Sequence, residues 1–355
     1  MTIEPGTSLS HYRLVEKIGE GGMGVVWKAT DTTLDREVAI KILPGDVVAQ
    51  PDTLARFDRE AKLLASLNHP NIATVYGFQE AGGVRFLAME LVPGEDLADE
   101  LKRGPLPVRE AMEVALSIAQ AIEAAHGQGV VHRDLKPANV KRAGASQVKV
   151  LDFGLAKALR PDPTSGEPSV SLSPTVTSAG SIAGVVLGTV AYMSPEQARG
   201  RPIDKRTDVW SFGVLFYELL TGLNPFRGDT VADCVGAIMH RDPDLEALPP
   251  ETPASVRRLL RRCLARKRAQ RLHDIADVRI ELEEAIANPD ADAAGATAAT
   301  GGGAPTRSSK LPWIALAALL PLIALLGWWI GSRDEPPAPE QTRRFKLAPD
   351  VEVSS

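Results

Sequence analysis

Cysteine is scarce in this chain: Cys234 and Cys263 are the only two in 355 residues, too few for a disulfide framework or a cysteine-built metal site. Both read as reduced thiols in helical surroundings, which fits a cytosolic domain. Basic charge is not in excess either. Forty Lys and Arg stand against 45 Asp and Glu, for a net charge of -5, so the cationic footprint of a nucleic-acid binder is missing and no nucleic acid is expected as a partner. The N-terminus, Met1-Thr2-Ile3-Glu4-Pro5-Gly6, has no basic stretch followed by an apolar run, which argues against a cleaved signal peptide. What remains, 44% hydrophobic and 24% charged residues, is the balance of a globular protein with enough length to bury a core.

The chain divides into four unequal parts. From Tyr12 to about Leu91, β-type runs dominate: Tyr12–Ile18, Val25–Ala29, Glu37–Ile42, Ile72–Gln79 and Val84–Leu91, interrupted by one helical stretch, Thr53–Ser66. Five strands and one helix in that order predict a small antiparallel sheet with a helix packed on it. From about Leu97 to Ala287 the period becomes helical. Val108, Ala111, Met112, Ala115, Ile118, Ala119, Ile122 and Ala125 fall on one face of a helix that stops at Gly127 and Gly129, and a second strong helix covers Asp208–Leu220. Between them, Pro161–Ser181 is rich in Ser, Thr and Pro, long and polar enough for a mobile loop. The third part, 288–309, is Ala, Gly, Asp, Thr and Ser, the composition of a flexible linker. The fourth begins with Leu311–Ile330, which carries no charge, and at about 1.5 Å per residue spans about 30 Å as a helix. Trp313 at one end and Trp328-Trp329 at the other sit where interfacial belts would, so a transmembrane helix is expected, kinked at Pro321.

Three motifs carry chemistry. Gly19-Glu20-Gly21-Gly22-Met23-Gly24 precedes a β-branched run, which predicts a hairpin whose glycine turn lies over phosphates, because any Cβ would hold the backbone N–H groups away. In a dinucleotide-binding fold a helix would follow instead. Val38-Ala39-Ile40-Lys41 alternates as a strand, and after this glycine loop Lys41 reads as a phosphate ligand. Glu60, on the helical stretch, is its candidate partner across the lobe. The strongest signal is His132-Arg133-Asp134-Leu135-Lys136-Pro137-Ala138-Asn139, followed by Asp152-Phe153-Gly154.

Together these motifs resemble the bacterial eukaryotic-like (Hanks-type) serine/threonine protein kinases over about Tyr12 to Ile286, in the family's order. The resemblance implies an α+β fold of two lobes: an N-lobe at about 12–91 with a five-stranded antiparallel sheet plus one helix, and a mainly helical C-lobe at about 97–286. It implies ATP and Mg²⁺ as cofactors, with Mn²⁺ as a substitute, and proteins with Ser or Thr acceptors as substrates. Asp134 would orient the acceptor hydroxyl and take its proton, Lys136 stabilise the transferring phosphoryl group, and Asn139 and Asp152 supply oxygen ligands to the metal. The nucleotide would meet Ile18, the glycine loop Gly19–Gly24, Val26, Ala39, Lys41, the gatekeeper Met89, the hinge Glu90-Leu91-Val92 and, at the ribose, Asp96. Glu196, in Ser194-Pro195-Glu196, would pair with Arg271, and Asp208 would hold the catalytic-loop backbone.

Lys136 is the Ser/Thr pattern, and Thr189 resembles the threonine that bridges Asp134 and Lys136. Arg133 resembles the arginine that pairs with an activation-segment phosphate, and Thr175, Thr177, Ser178 and Ser181 are the candidate autophosphorylation sites in the long segment Asp152–Glu196. The resemblance also allows a homodimer for trans-autophosphorylation. With ATP in the cytoplasm, a single-pass cell-membrane protein with a cytoplasmic kinase domain follows. The flanking charges (Arg307 and Lys310 against Arg333, Arg343 and Arg344) choose no side. Residues 332–355, with Pro336-Pro337-Ala338-Pro339 and then Phe345 and Leu347, read as the start of a missing extracytoplasmic region. The rival reading, a catalytically silent membrane-anchored pseudokinase scaffold, would be marked by loss of Lys41, Asp134, Asn139 or Asp152. All four are present.

Overall fold

The computed structural model describes residues 3–21, 24–44, 51–144, 147–153 and 188–288. The chain separates into two compact units, Met1–Ala296 and Thr297–Ser355, and every described residue belongs to the first. The small lobe runs β1 (Ser8–Leu9), β2 (Tyr12–Gly21), β3 (Gly24–Asp31), β4 (Arg36–Ile42), α1 (Pro51–Ala65), β5 (Val75–Ala81) and β6 (Val84–Glu90). These strands form one antiparallel sheet in the order β1-β2-β3-β4-β6-β5. The sheet has six strands, not the five expected, because two residues at Ser8–Leu9 pair with Tyr12 and Arg13, too short a run to show a period.

The alternation along β4 explains why the sheet is covered on both sides. Val38, Ile40 and Ile42 point to one face and join Leu9, Tyr12, Leu14, Trp27, Ala29, Phe86 and Ala88 in a cluster that closes the sheet on itself. Ala39 points to the other face, where Leu87 and Met89 meet Phe57, Ala61 and Leu64 of α1. This second cluster continues without a break into the large lobe, through Leu97, Ile118, Leu135 and Phe153. Lys41 lies in the same alternation as Ala39, so a cation sits on an otherwise apolar, buried face.

The large lobe begins with β7 (Glu95–Asp96) and α2 (Leu97–Leu101), followed by α3 (Val108–Gly127). The predicted apolar stripe of α3 is buried from Ala111 to Ala125. Then come β8 (Val140–Ala143) and β9 (Gln147–Val150), which pair with β7 in a three-stranded sheet. The helices α4 (Pro195–Ala198), α5 (Arg206–Thr221), α6 (Val231–His240), α7 (Ala254–Cys263) and α8 (Ile275–Ala287) complete the lobe. Helix α5 is apolar nearly all round and buried nearly all round, the expected fate of such a helix inside a domain, and α3 packs against both α5 and α8. Burial of Cys263 raises its thiol pKa well above the ordinary value, which keeps it an inert packing residue. Among the described residues no helix is long and apolar enough to cross a membrane, and Leu311–Ile330 lies outside them.

Candidate active site

The glycine motif forms the predicted hairpin: β2 and β3 are antiparallel, with Gly21 opposite Gly24 and Gly19 opposite Val26. Met23 and Gly22 lie outside the described residues. Gly24 has φ +116°, and a Cβ there would stand 1.9 Å from the carbonyl oxygen of Ile42, so no other residue fits against the end of β4. Ile18, at the irregularity where β2 bends, leaves its side chain 45% exposed, while Glu20 pairs with Lys17 on the same strand.

The register then gathers the remaining nucleotide candidates on one sheet face. Val26 lies opposite Lys41, and Ala39 opposite Met89. Ala39, Met89 and Val92 are all buried. Lys41 Nζ makes an ion pair of 2.9 Å with Asp152 Oδ2, with the lysine 5% and the aspartate 30% exposed. Beside them is an apolar hollow lined by Leu64, Leu67, Ile72, Leu87 and Phe153, which keeps the local dielectric low. Glu60 is half-buried on α1, on the helix that backs this face. Asp96 caps α2, its carboxylate accepting from the amide of Asp99 at 2.9 Å.

The catalytic loop hangs from one buried carboxylate. Asp208, near the start of α5, accepts from the amide of His132 at 2.7 Å, the amide of Arg133 at 2.8 Å and the ring of His126 at 2.8 Å. Arg133 is held at φ +70°, where a residue with a side chain loses about 1–2 kcal/mol. The amides of Arg133 and of the preceding His132, both donating to the Asp208 carboxylate, hold the strained residue in place. Gln197 of α4 also donates to the carbonyl of Arg133, at 2.8 Å. His132 accepts from the amide of Asp134 through Nδ1 and therefore donates to the Leu151 carbonyl through Nε2, at 2.9 Å, which fixes its tautomer and joins the loop to Asp152. Asp152 itself has φ +57°.

At the loop's tip, Lys136 Nζ lies 2.9 Å from Asp134 Oδ2 and 2.9 Å from Thr189 Oγ1. Asn139 donates to the Asp134 carbonyl at 2.8 Å and to its Oδ2 at 3.2 Å. Both amide hydrogens are thereby occupied within the loop, and the Asn139 side-chain oxygen is the atom available to a ligand. Asn139 precedes β8 and Asp152 follows β9, and the amide of Leu151 closes this hairpin on the carbonyl of Asn139 at 2.8 Å. Two oxygen donors are thus presented together. No cluster of three or more His, Cys, Asp or Glu occurs among the described residues, so this is not a self-sufficient metal cage. It matches a small hard cation that completes its shell with phosphate oxygens.

The predicted pair of Glu196 with Arg271 is present and bidentate, at 2.6 and 3.1 Å, with Arg271 wholly buried. Arg271 also donates to the carbonyls of Arg206 and Ala265, and its guanidinium lies over the ring of Trp210. Gly154, Thr175, Thr177, Ser178 and Ser181 lie outside the described residues.

Four contributors were not anticipated. One is His126 on Asp208. Another is the buried hydroxyl pair of Ser194 with Thr207, 2.5 Å apart. Gln197 is the third; the Ser194-x-x-Gln197 spacing is a capping box that could have been read in advance. The last is Tyr192, which donates to Glu218 inside the loop that follows Thr189. Burial first, and the Glu218 charge second, hold the Tyr192 hydroxyl far above its ordinary pKa, while burial raises that of Glu218.

A sequence model described as the protein kinase domain matches residues 12–281. The serine/threonine-protein kinase PknA of Mycobacterium tuberculosis (strain ATCC 25618 / H37Rv) is 37% identical over 319 residues, covering 88% of this chain and 67% of that protein. The serine/threonine-protein kinase pkn2 of Myxococcus xanthus is 38% identical over 285 residues, 78% of this chain and 33% of that one. Among solved structures, the PknI kinase domain of Mycobacterium tuberculosis superposes with a TM-score of 0.60 at 25% identity, over 80% of this chain and 99% of that domain.

Proposed function

This chain belongs to the protein kinase family and is a serine/threonine protein kinase, and we propose that it transfers the γ-phosphoryl group of ATP with Asp134 as the base and Lys136 as the charge stabiliser. The observation that carries this reading is the joining of Asp134, Lys136, Asn139 and Thr189 in one hydrogen-bonded cluster, with the Lys41–Asp152 pair held against the same hairpin. Asp134 is 18% exposed, open enough to receive a hydroxyl and buried enough to act as a base. Lys136, fixed between Asp134 and Thr189, stands where charge on the transferring phosphoryl group would develop. Lys41 holds the inner phosphates, with Glu60 behind it. Ile18, Val26, Ala39 and Met89 enclose the base against the backbone of Glu90 and Val92. Asn139 and Asp152 would hold Mg²⁺, which when bound neutralises the phosphate oxygens.

The test is incubation of the full chain with γ-labelled ATP and Mg²⁺, with and without a generic basic protein. Label on serine or threonine, abolished by chelation with EDTA, is the expected result. ATP binding without any transfer would put the silent scaffold in its place. Mapping the label in the same sample tests a second part of the reading, autophosphorylation at Thr175, Thr177, Ser178 or Ser181 with Arg133 receiving the phosphate. Active enzyme with no phosphate between Asp152 and Glu196 rejects it.

We further propose that Leu311–Ile330 anchors the protein in the cell membrane as a single span, with the kinase domain in the cytoplasm beside its ATP. The motive is the uncharged length of that run with tryptophans at both ends. The full chain is expected to stay in the membrane fraction through an alkaline carbonate wash. Release into the supernatant would sink the anchor and leave the kinase untouched.

A further inference from the structure

The hairpin that carries Asn139 and Asp152 at its open end also carries two lysines directly opposite each other, Lys141 on β8 and Lys149 on β9. Like charges facing across a strand pair destabilise it unless each finds a partner. Both find theirs in or beside the segment that joins the lobes. Lys141 Nζ donates to the carbonyl of Gly94 at 3.0 Å and to that of Val92 at 3.3 Å. Lys149 Nζ donates to Glu90 Oε2 at 2.8 Å and to the carbonyl of Ile72 at 3.3 Å. The same Glu90 oxygen accepts from the amide of Thr74 at 3.0 Å, and the Lys149–Glu90 pair is only 12% and 24% exposed.

The contact between hairpin and segment is close as well as charged. Gly94 has φ +90°, and a Cβ there would stand 2.1 Å from the carbonyl oxygen of Arg142. Residues 90, 92 and 94 are therefore fastened to β8 and β9 at successive points. One short hairpin links the backbone edge where the base binds to the two oxygen donors where the phosphates bind.

We propose that Lys141 and Lys149 are positioning residues for the nucleotide, which set the base-binding edge at a fixed distance from Asn139 and Asp152. The proposal rests on the reading of Glu90–Val92 as the base-binding edge. Neither lysine touches the reacting atoms, and each acts through the backbone or side chain it holds. Phosphoryl transfer depends on placement, so an edge held by two cations to the same hairpin as the metal ligands gives the base and the phosphates one common reference. A purely structural pair would affect melting temperature alone. A positioning pair affects nucleotide affinity at unchanged chemistry.

The experiment compares full-chain Lys141→Met, Lys149→Met and Lys149→Arg with the wild type, reading KM for ATP, kcat, inhibition by adenosine and thermal unfolding. Each methionine variant is expected to raise KM for ATP about five- to tenfold, as loss of charge-assisted hydrogen bonds would, with kcat within about twofold. Adenosine, which has no phosphate, is expected to weaken by the same factor, and Lys149→Arg to recover most of the loss through a restored pair with Glu90. Unchanged KM and unchanged adenosine inhibition in folded variants would overturn the proposal. So would a fall in kcat at constant KM, which would place the lysines in the chemistry. Should a methionine variant fail to fold, Glu90→Gln removes the charge that Lys149 pairs with, keeps a side-chain oxygen for the Thr74 amide, and is read against the same expectations. A wild type that binds adenosine but transfers no phosphate would count against the kinase activity, and the lysines would still be judged by adenosine affinity.

Discussion

Replacing Asp134 with asparagine is expected to lower phosphoryl transfer at least about a hundredfold and as much as about ten-thousandfold, the range general-base catalysis supplies. The substitution keeps the shape of the side chain and an oxygen for Asn139 to donate to, so the loop should keep its conformation. What it removes is the proton acceptor and the negative charge beside Lys136, 2.9 Å away. Affinity for ATP should change little, because the nucleotide candidates lie on the sheet face and at the hairpin's open end. Transfer and binding measured on the same preparation decide the matter. Activity within tenfold of the wild type would remove Asp134 from the role of base, whereas lost transfer with retained binding separates a kinase from a scaffold by one atom.

The second large effect is structural. Arg271→Met leaves the Glu196 carboxyl buried without its bidentate partner, and removing one member of a buried pair costs about 3–5 kcal/mol. In a domain of this size that lowers the midpoint of thermal unfolding by roughly 10 °C. The carbonyls of Arg206 and Ala265 lose their donor as well, which pushes the loss toward the upper end. Glu196→Gln, which removes the charge while keeping a hydrogen-bonding side chain, should cost less than Arg271→Met. Combining the two should cost less than their sum, because the methionine no longer strands a carboxylate. A melting point for Arg271→Met within about 2 °C of the wild type would show that the pair is dispensable to the fold. Because α4 also holds the Arg133 carbonyl through Gln197, activity should fall below the Arg271→Met melting point, where the helix loosens before the domain does.

Much of the site was legible because its chemistry is local. His132–Asn139 and Asp152-Phe153 are contiguous runs, and their mutual distances follow from one loop and one hairpin. Helix α3 was placed to within a residue of its C-terminal end, since nine of its side chains are buried on one stripe. Asp208, Glu196 and Arg271 were found only by resemblance. Nothing in the sequence around Arg271 says that its partner lies 75 positions earlier. The lysines at 141 and 149 went unremarked for a different reason. Each reads as an ordinary cation on a short strand, and only the hairpin register turns them toward a single segment. His126 was hidden in the same way, one more polar residue at a helix end until α5 brings Asp208 against it. The strand at Ser8–Leu9 had too few residues to announce itself.

The two hydrophobic clusters differ in a way that matters to a chain leaving the ribosome N-terminus first. Every member of the cluster built around Tyr12, Trp27 and Phe86 has been synthesised by Ala88. That side of the sheet can close with nothing from the larger lobe. The opposite side differs: the cluster that buries Ala39, Leu87 and Met89 against α1 runs on without a break into the large lobe, through Phe153. The nascent small lobe therefore emerges with one face sealed and the other, the face that carries Lys41, waiting for the strand that leads into Asp152 and Phe153.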